Sequence, residues 1–383
     1  MSTRRHVLEL LAVAPAAALM LGVSGCAASA RSDPAQAWRD PGAAEEDPRR
    51  FCLAHAILAP NPHNRQPWLV RLQGDDALTL FVDRSRLLPQ TDPFNRQIVL
   101  GCGAFLELLA LAAGRLGLRA EMELWPEGEP QPLLDGRPIA HVRLTPVGAK
   151  VQDPLFDQIT KRHTTRTPYQ EAAVSPAAVA RILAAARDPG LVSGVVVDQQ
   201  QRARLVDLGR RAWLIERNNP PTHMESVRLT RIGKTEVAAQ PDGISLAGPL
   251  MEAMQASGLL TRAALARPDS FASRSGEDMW MKMIEATPAF FWLRSLSPDR
   301  RSQIQAGRSY VRAQLAATQA GLHMHPWSQG LQEFPMMKEC LDATRQVLGG
   351  SDESPVQMLV RLGQARDSAP PAPRWELDRL FRT

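Results

Sequence analysis

The chain has 383 residues, of which 44% are hydrophobic and 22% charged, with a formal charge of +5 and a pI near 9.3. That is an ordinary globular balance, long enough for one large or two moderate cores. The mild basic excess is scattered arginine with acidic residues close by, which excludes a nucleic-acid binder that tracks phosphates along a basic stripe. Four cysteines without CxxC spacing (Cys26, Cys52, Cys102, Cys340) exclude a disulfide framework. No His, Cys and carboxylate cluster has metal-ligand spacing, since His323-Met324-His325 offers only two imidazoles, so no metal is expected.

In chain order, Arg4 and Arg5 precede an apolar run from Leu10 to Val23, too short to span a bilayer and interrupted by Pro15. This resembles a twin-arginine export signal. The run closes on Leu21-Gly22-Val23-Ser24-Gly25-Cys26, similar to a bacterial lipobox with Cys26 as the lipidated residue; cleavage after Ala28 or Ala30 is the alternative. The expectation is an exported protein, periplasmic or a cell-envelope lipoprotein, with residues 1–26 as signal and 27–47 as a Pro/Ala-rich tether. A lipid anchor is then the one membrane link expected.

Pro48 to Leu58 reads as a helix, Trp68 to Leu72 and Ala77 to Val82 as strands paired around Gly74-Asp75-Asp76, and Phe94 to Leu116 as a core-crossing helix that Gly117 ends. Cys102 falls in that helix as a small core residue. A second Ala/Leu-rich segment repeats the pattern. Aligning Gly103 with Gly307 superposes Leu111 on Leu315, Ala112 on Ala316, Ala113 on Ala317 and Gly117 on Gly321, which reads as an internal duplication. The halves are expected at 48–150 and 151–383. The second carries an insertion at about 218–286, with Pro220-Pro221 and a Met-rich stretch, either a lid or a surface excursion.

Two polar motifs carry the chemistry. Ala59-Pro60-Asn61-Pro62-His63-Asn64-Arg65-Gln66-Pro67-Trp68 is a proline-fixed loop rich in amide donors and acceptors, and Lys161-Arg162-His163-Thr164-Thr165-Arg166 gathers the donors a phosphomonoester requires. Their order, with the tail Pro370-Pro371-Ala372-Pro373-Arg374-Trp375, resembles the FMN-dependent nitroreductase superfamily, and more narrowly its Acg-type branch, in which two nitroreductase-like halves are fused. The resemblance implies an α+β, three-layer fold, each half with a central mixed sheet flanked by helices, and a pseudo-dimeric monomer.

By the same resemblance, Arg162 and Thr164 hold the FMN phosphate with His163 assisting, and Arg374 returns as a second cation. Asn61, His63 and Asn64 contact the isoalloxazine and ribityl groups. The segment from Gly321 to Gly330, with His325, Pro326 and Gln329, runs along the isoalloxazine edge, and Arg228 or Arg231 serves the pyrimidine edge. One flavin site is expected, because only the first half has the Asn loop and only the second has the basic motif. The implied activity is hydride-transfer reduction of a small acceptor, a nitroaromatic or quinone, with NAD(P)H as the candidate donor; no separate catalytic acid, base or nucleophile is assigned, since the chemistry belongs to the cofactor. The alternative is an FMN-binding sequestering or sensing protein with little turnover.

Overall fold

The computed structural model describes residues 33–148, 153–367 and 369–382, so the export signal, Cys26 and the first part of the expected tether lie outside the described residues. Helix α1 (Pro48–Ala56) starts on Asp47, whose carboxylate accepts from the Arg49 amide, with Pro48 supplying a preset φ. Strands β1 (Trp68–Gln73) and β2 (Ala77–Val82) form an antiparallel hairpin with Trp68 opposite Val82, turning at Gly74, which has φ +51.

Helix α2 (Arg96–Arg115) is long and apolar enough to cross a membrane, yet it is buried in the core. Its first turn is capped from a distance, because both oxygens of buried Asp92 accept backbone amides, from Gln97 and Ile98 at 3.0 Å each. Gly117, at φ +77, ends the helix, and β3 (Leu118–Leu124) and β4 (Ala140–Pro146) follow. Cys102 is fully buried and its thiol is pushed up to about 12 by burial, the behaviour of a core residue.

The second run opens with α3 (Pro176–Ala185), capped by Ser175, and β5 (Leu191–Val196). Helix α4 (Gln199–Asn218) leads into an excursion: α5 (Pro220–Leu229), β6 (Thr230–Ile232), α6 (Gly233–Ala239), β7 (Ile244–Leu246), α7 (Pro249–Ala256), α8 (Arg262–Ala266) and α9 (Phe271–Glu285). Here β6 and β7 pair in parallel as a small separate sheet. The chain returns with β8 (Ala289–Ser295), α10 (Arg300–Gln319), β9 (His323–Pro326), α11 (Lys338–Val347) and β10 (Val356–Gly363).

The two main sheets have one topology. The first runs β1-β2-β4-β3 and the second β5-β8-β10-β9, so each places its first, second, fourth and third strand side by side, every pair antiparallel. Their mixed character is confined to isolated parallel bridges, Val70 with Phe381 at the edge of the first and Thr164 with Met324 at the edge of the second. In each run a 20-residue helix sits between the second and third strands, α2 in one and α10 in the other, and a glycine with positive φ follows it, Gly117 or Gly321. One continuous apolar core joins the inner faces, from Leu78, Leu80 and Val142 through Phe105 and Leu109 to Val311, Phe291 and Val360. Burying these faces together is what makes the described chain one unit.

Candidate functional site

The Asn loop leaves the C-terminus of α1 and turns sharply. His63, Asn64 and Gln66 all adopt positive φ, at 45, 50 and 49°, a conformation that costs free energy for side chains other than glycine and persists only where partners enforce it. The partners are present. The Asn61 carboxamide donates to the Ala59 carbonyl at 3.1 Å and accepts from the Gln66 amide at 2.7 Å, closing the loop on itself. Asn64 donates to the Pro373 carbonyl and accepts from Arg374 at 2.6 Å. Gln66 donates to the Pro241 carbonyl at 2.7 Å and accepts from the Trp375 amide at 3.0 Å. Three distant segments, 57–66, 241–243 and 372–375, therefore meet at this loop. Asp242 fastens the second of them through Arg65 at 2.9 Å and Arg231 at 2.7 Å.

The basic motif reaches the same junction from the other side, tied to the edge of β9 by the Thr164–Met324 bridge. Arg162 is buried; it donates to the Leu58 carbonyl at 3.0 Å and to Gln314 at 3.3 Å, and among the described residues no carboxylate pairs with it. Burial pushes its guanidinium down to about 10. Arg374 donates to the carbonyls of Ile57, Leu58, Ala59, Ala372 and Pro373 and to the Asn64 carboxamide oxygen. Its donors are committed to the orphan carbonyls at the end of α1, where a cation also meets the negative end of the helix dipole. Burial and neighbouring Arg162 hold it well below the usual arginine range.

Trp38 packs against both guanidiniums, at 5.3 Å from Arg162 and 5.1 Å from Arg374, and its ring lies 5.2 Å from that of His163. Its indole N–H donates to the Ala372 carbonyl at 2.8 Å. Residues from Asp33 onward are thus docked, not a loose tether, because a buried indole with a satisfied N–H anchors them.

Arg166 differs from its neighbours. It is exposed, without a hydrogen bond or ion pair among the described residues, while remaining within electrostatic reach of His63, His325, Tyr169 and Tyr310. Among the described residues it is the uncommitted arginine of the motif, and exposed Lys161 is likewise without an ion pair. His63 and His163 are each pushed down to about 4, His63 by burial, then Arg166 and Arg65, and His163 by burial, then Arg162 and Arg374, so both rings are neutral near pH 7.

His325 is buried and accepts at Nδ1 from Arg361 at 3.1 Å, with Trp280 of α9 packed against it at 5.4 Å. Pro326 pairs with Val360 on the same strand. Gln329, together with Gln332, hydrogen-bonds Glu216 of α4, and burial pushes that carboxyl up to about 7. Arg231 pairs with Asp242 within the insertion. His323, the first residue of this strand, accepts from the Ala365 amide, and among the described residues no group of three potential ligands could hold a metal.

Several buried polar atoms around the motif have no hydrogen-bond partner among the described residues: His63 Nδ1, Arg162 Nε, His163 Nδ1, Thr165 Oγ1, the Tyr310 hydroxyl and Gln314 Nε2. Buried polar atoms are normally paired, so such a concentration is the mark of a ligand site. A recess of about 330 Å³ lies between α9 and the segment after the motif, lined by Pro168, Ser275, Asp278, Met279 and Lys282.

The residues that sequence reasoning left out are Trp38, Gln66, Arg166, Tyr310 and Gln314. Gln66 and Arg166 stood inside the two motifs. Trp38, Tyr310 and Gln314 carried no local signal, because only the packing of remote segments brings them here.

Fold and junction together define a two-halved α+β protein with a polar, donor-rich site formed by loop, motif and tail. Comparisons with known proteins give this class its context. No family model matches the chain. It is 27% identical over 358 residues, 86% of its length, to a Mycobacterium tuberculosis H37Rv protein named a putative NAD(P)H nitroreductase, of which 90% is covered. Over 118 residues, 30% of this chain and 34% of the relative, it is 32% identical to a protein of the same species named a putative NAD(P)H nitroreductase acg. Among solved structures, the FMN-dependent nitroreductase NfnB from Mycobacterium smegmatis, in complex with NADPH, is similar at a TM-score of 0.36 and 19% identity, covering 59% of this chain and 96% of that one.

Proposed function

We propose that this protein is an exported FMN-dependent oxidoreductase of nitroreductase type, reducing nitroaromatics or quinones with NAD(P)H as donor. The observation that carries the reading is the meeting of loop 57–66, motif 162–166 and tail 372–375 around buried, unpartnered donors. Relatives named for NAD(P)H nitroreductase activity support it. We take residues 48–150 and 151–383 as the two halves, on the strength of the repeated strand order.

The residues present fit FMN. Arg162 Nε, Thr164 and Thr165 offer donors suited to a phosphate, and Arg166, unpaired among the described residues, offers a further cation beside the neutral rings of His63 and His325. FMN, when bound, supplies the two-electron chemistry. The chain's part is to bind and orient. Arg374 and Trp38 hold the junction rigid, Gln66 fixes the loop, and Trp280 of α9 shields the His325 side from water. The recess at Pro168 and Met279 is then the route for a small acceptor.

A sequestering role with little turnover is the second reading, and the close cover of α9 favours it, since a recess of about 330 Å³ is at the small end for ligand pockets. Residues 1–26 underlie the proposed twin-arginine export and lipidation at Cys26; exchanging Arg4 and Arg5 for Lys should hold precursor inside the cell, and unchanged export would remove that part.

A visible absorbance spectrum of the mature protein, with identification of the heat-released chromophore, tests the cofactor. Stoichiometric FMN that is bleached by NADPH and reoxidised by a nitroaromatic supports the enzyme. Bound FMN that stays oxidised under NADPH supports sequestration, and a colourless protein that takes up no FMN overturns both.

A further inference from the structure

Tyr310 and Gln314 stand one turn apart on α10, on the face toward the basic motif. Both are buried. Gln314 Oε1 accepts from Arg162 Nη1 at 3.3 Å, which leaves its Nε2 as a donor without an acceptor; the Tyr310 hydroxyl, Arg162 Nε and Thr165 Oγ1 are likewise buried and unpartnered. Tyr310 is also within electrostatic reach of both Arg162 and Arg166. All four of these groups can donate a hydrogen bond, and among the described residues no carboxylate pairs with Arg162. Leaving such donors unmade in a low-dielectric interior is costly, so a bound acceptor is the physical reason to keep them.

The internal repeat supplies an independent argument. With Gly103 matched to Gly307, the α2 positions equivalent to Tyr310 and Gln314 are Leu106 and Ala110. Leucine and alanine are sufficient for the same helical layer in the first half. Packing alone therefore does not call for a tyrosine and a glutamine in the second, the half that carries the motif.

We infer that Tyr310 and Gln314 are anion-binding residues that, with Arg162 and Thr165, form the deep end of the site and take a phosphoryl dianion, the phosphomonoester of the flavin. The inference rests on the flavin reading above for the identity of the ligand, while the anion site itself stands on the unpartnered donors. Hydrogen bonds from a phenol, an amide and a guanidinium to a dianion are charge-assisted and stronger than neutral ones. Tyr310→Phe keeps the ring and its packing and removes only the hydroxyl. Gln314→Leu removes the amide at similar volume.

The test is titration of the full chain, freed of flavin, with FMN, with riboflavin and with inorganic phosphate, reading flavin fluorescence for the first two and thermal melting for the third. Tyr310→Phe should weaken FMN about tenfold, roughly 1.4 kcal/mol, leave riboflavin affinity unchanged and reduce stabilisation by phosphate, with Gln314→Leu behaving alike. Variants that melt no lower than wild type and bind FMN and phosphate as wild type does would overturn the inference. If wild type refuses FMN yet phosphate stabilises it, and Tyr310→Phe abolishes that, the anion site stands and the flavin reading falls. If wild type responds to neither ligand, both fall.

Discussion

Gly103 of α2 and Gly307 of α10 lie against each other where the two long helices cross. A Cβ built on Gly103 would stand 3.1 Å from the Gly307 Cα and collide with the Ile304 carbonyl, and one built on Gly307 would collide with the Leu100 carbonyl. Each glycine thus meets the backbone three residues before the other, a reciprocal contact of the kind a two-fold axis produces. Alanine at either position forces the helices apart, and we expect Gly103→Ala and Gly307→Ala each to cost about 3 kcal/mol, at the upper end for overpacking. The double variant should cost less than the sum, because one separation relieves both collisions. Urea unfolding checks this, and a single variant as stable as wild type would mean that the contact yields freely.

Arg374 and Arg166 should respond in opposite ways. Arg374→Met leaves the Ile57 carbonyl without its side-chain donor and takes one donor each from Leu58 and Ala59, which keep Arg162 and Asn61, so we expect a loss of stability of about 2 kcal/mol. Arg166→Ala removes an exposed, unpaired side chain and should leave melting unchanged while lowering FMN affinity about tenfold or more, as for the loss of a charge-assisted contact. Thermal melting and flavin titration on both variants decide it. An Arg166→Ala protein with wild-type FMN affinity would dissociate that residue from the cofactor.

Trp38→Ala should destabilise the chain by about 3 kcal/mol or more, as for other buried tryptophans, and expose residues 33–47 to proteolysis. Cleavage no faster than in wild type would show that the segment is held by other contacts.

Glu216 gives a pH dependence with a definite sign. Burial raises its carboxyl from 4.5 to about 7, so between those values the folded state keeps a proton that the unfolded state gives up. The associated stability is full below pH 4.5 and is lost as pH rises through 7, by up to about 3 kcal/mol. Glu216→Gln should be more stable than wild type at about pH 8, with a flatter profile from pH 5 upward. His63 and His163 act in the opposite sense, because their folded pKa values are depressed to about 4 and stability falls as pH drops below 6.5. Urea midpoints across pH 4 to 8 for wild type and Glu216→Gln check the signs, and superimposable profiles would refute the role given to Glu216.

Much of the fold was legible where local pattern and core burial agree. The β1–β2 hairpin, α2 with its closing glycine, and the echo of Gly103 in Gly307 follow from period, turn residues and small-residue spacing. The site was legible as motifs only. That Asn64 and Arg162 share a junction is what the family resemblance implies, not something their types show, and the partners of each guanidinium are legible only in the structure: carbonyls engage Arg374 and Asp242 engages Arg231, while Arg166 is unpaired among the described residues.

By itself the sequence determined the periodic elements, the repeat and the two polar motifs, because propensity, turn chemistry and hydrophobic period act between residues close along the chain. Only the tertiary structure decided which donors remain free. It brought Trp38 onto Arg162 and Arg374, turned Gln329 toward Glu216 and set Tyr310 and Gln314 beside the motif. Hydrogen-bond satisfaction depends on groups hundreds of residues apart meeting in a dry interior, and no local pattern encodes that meeting.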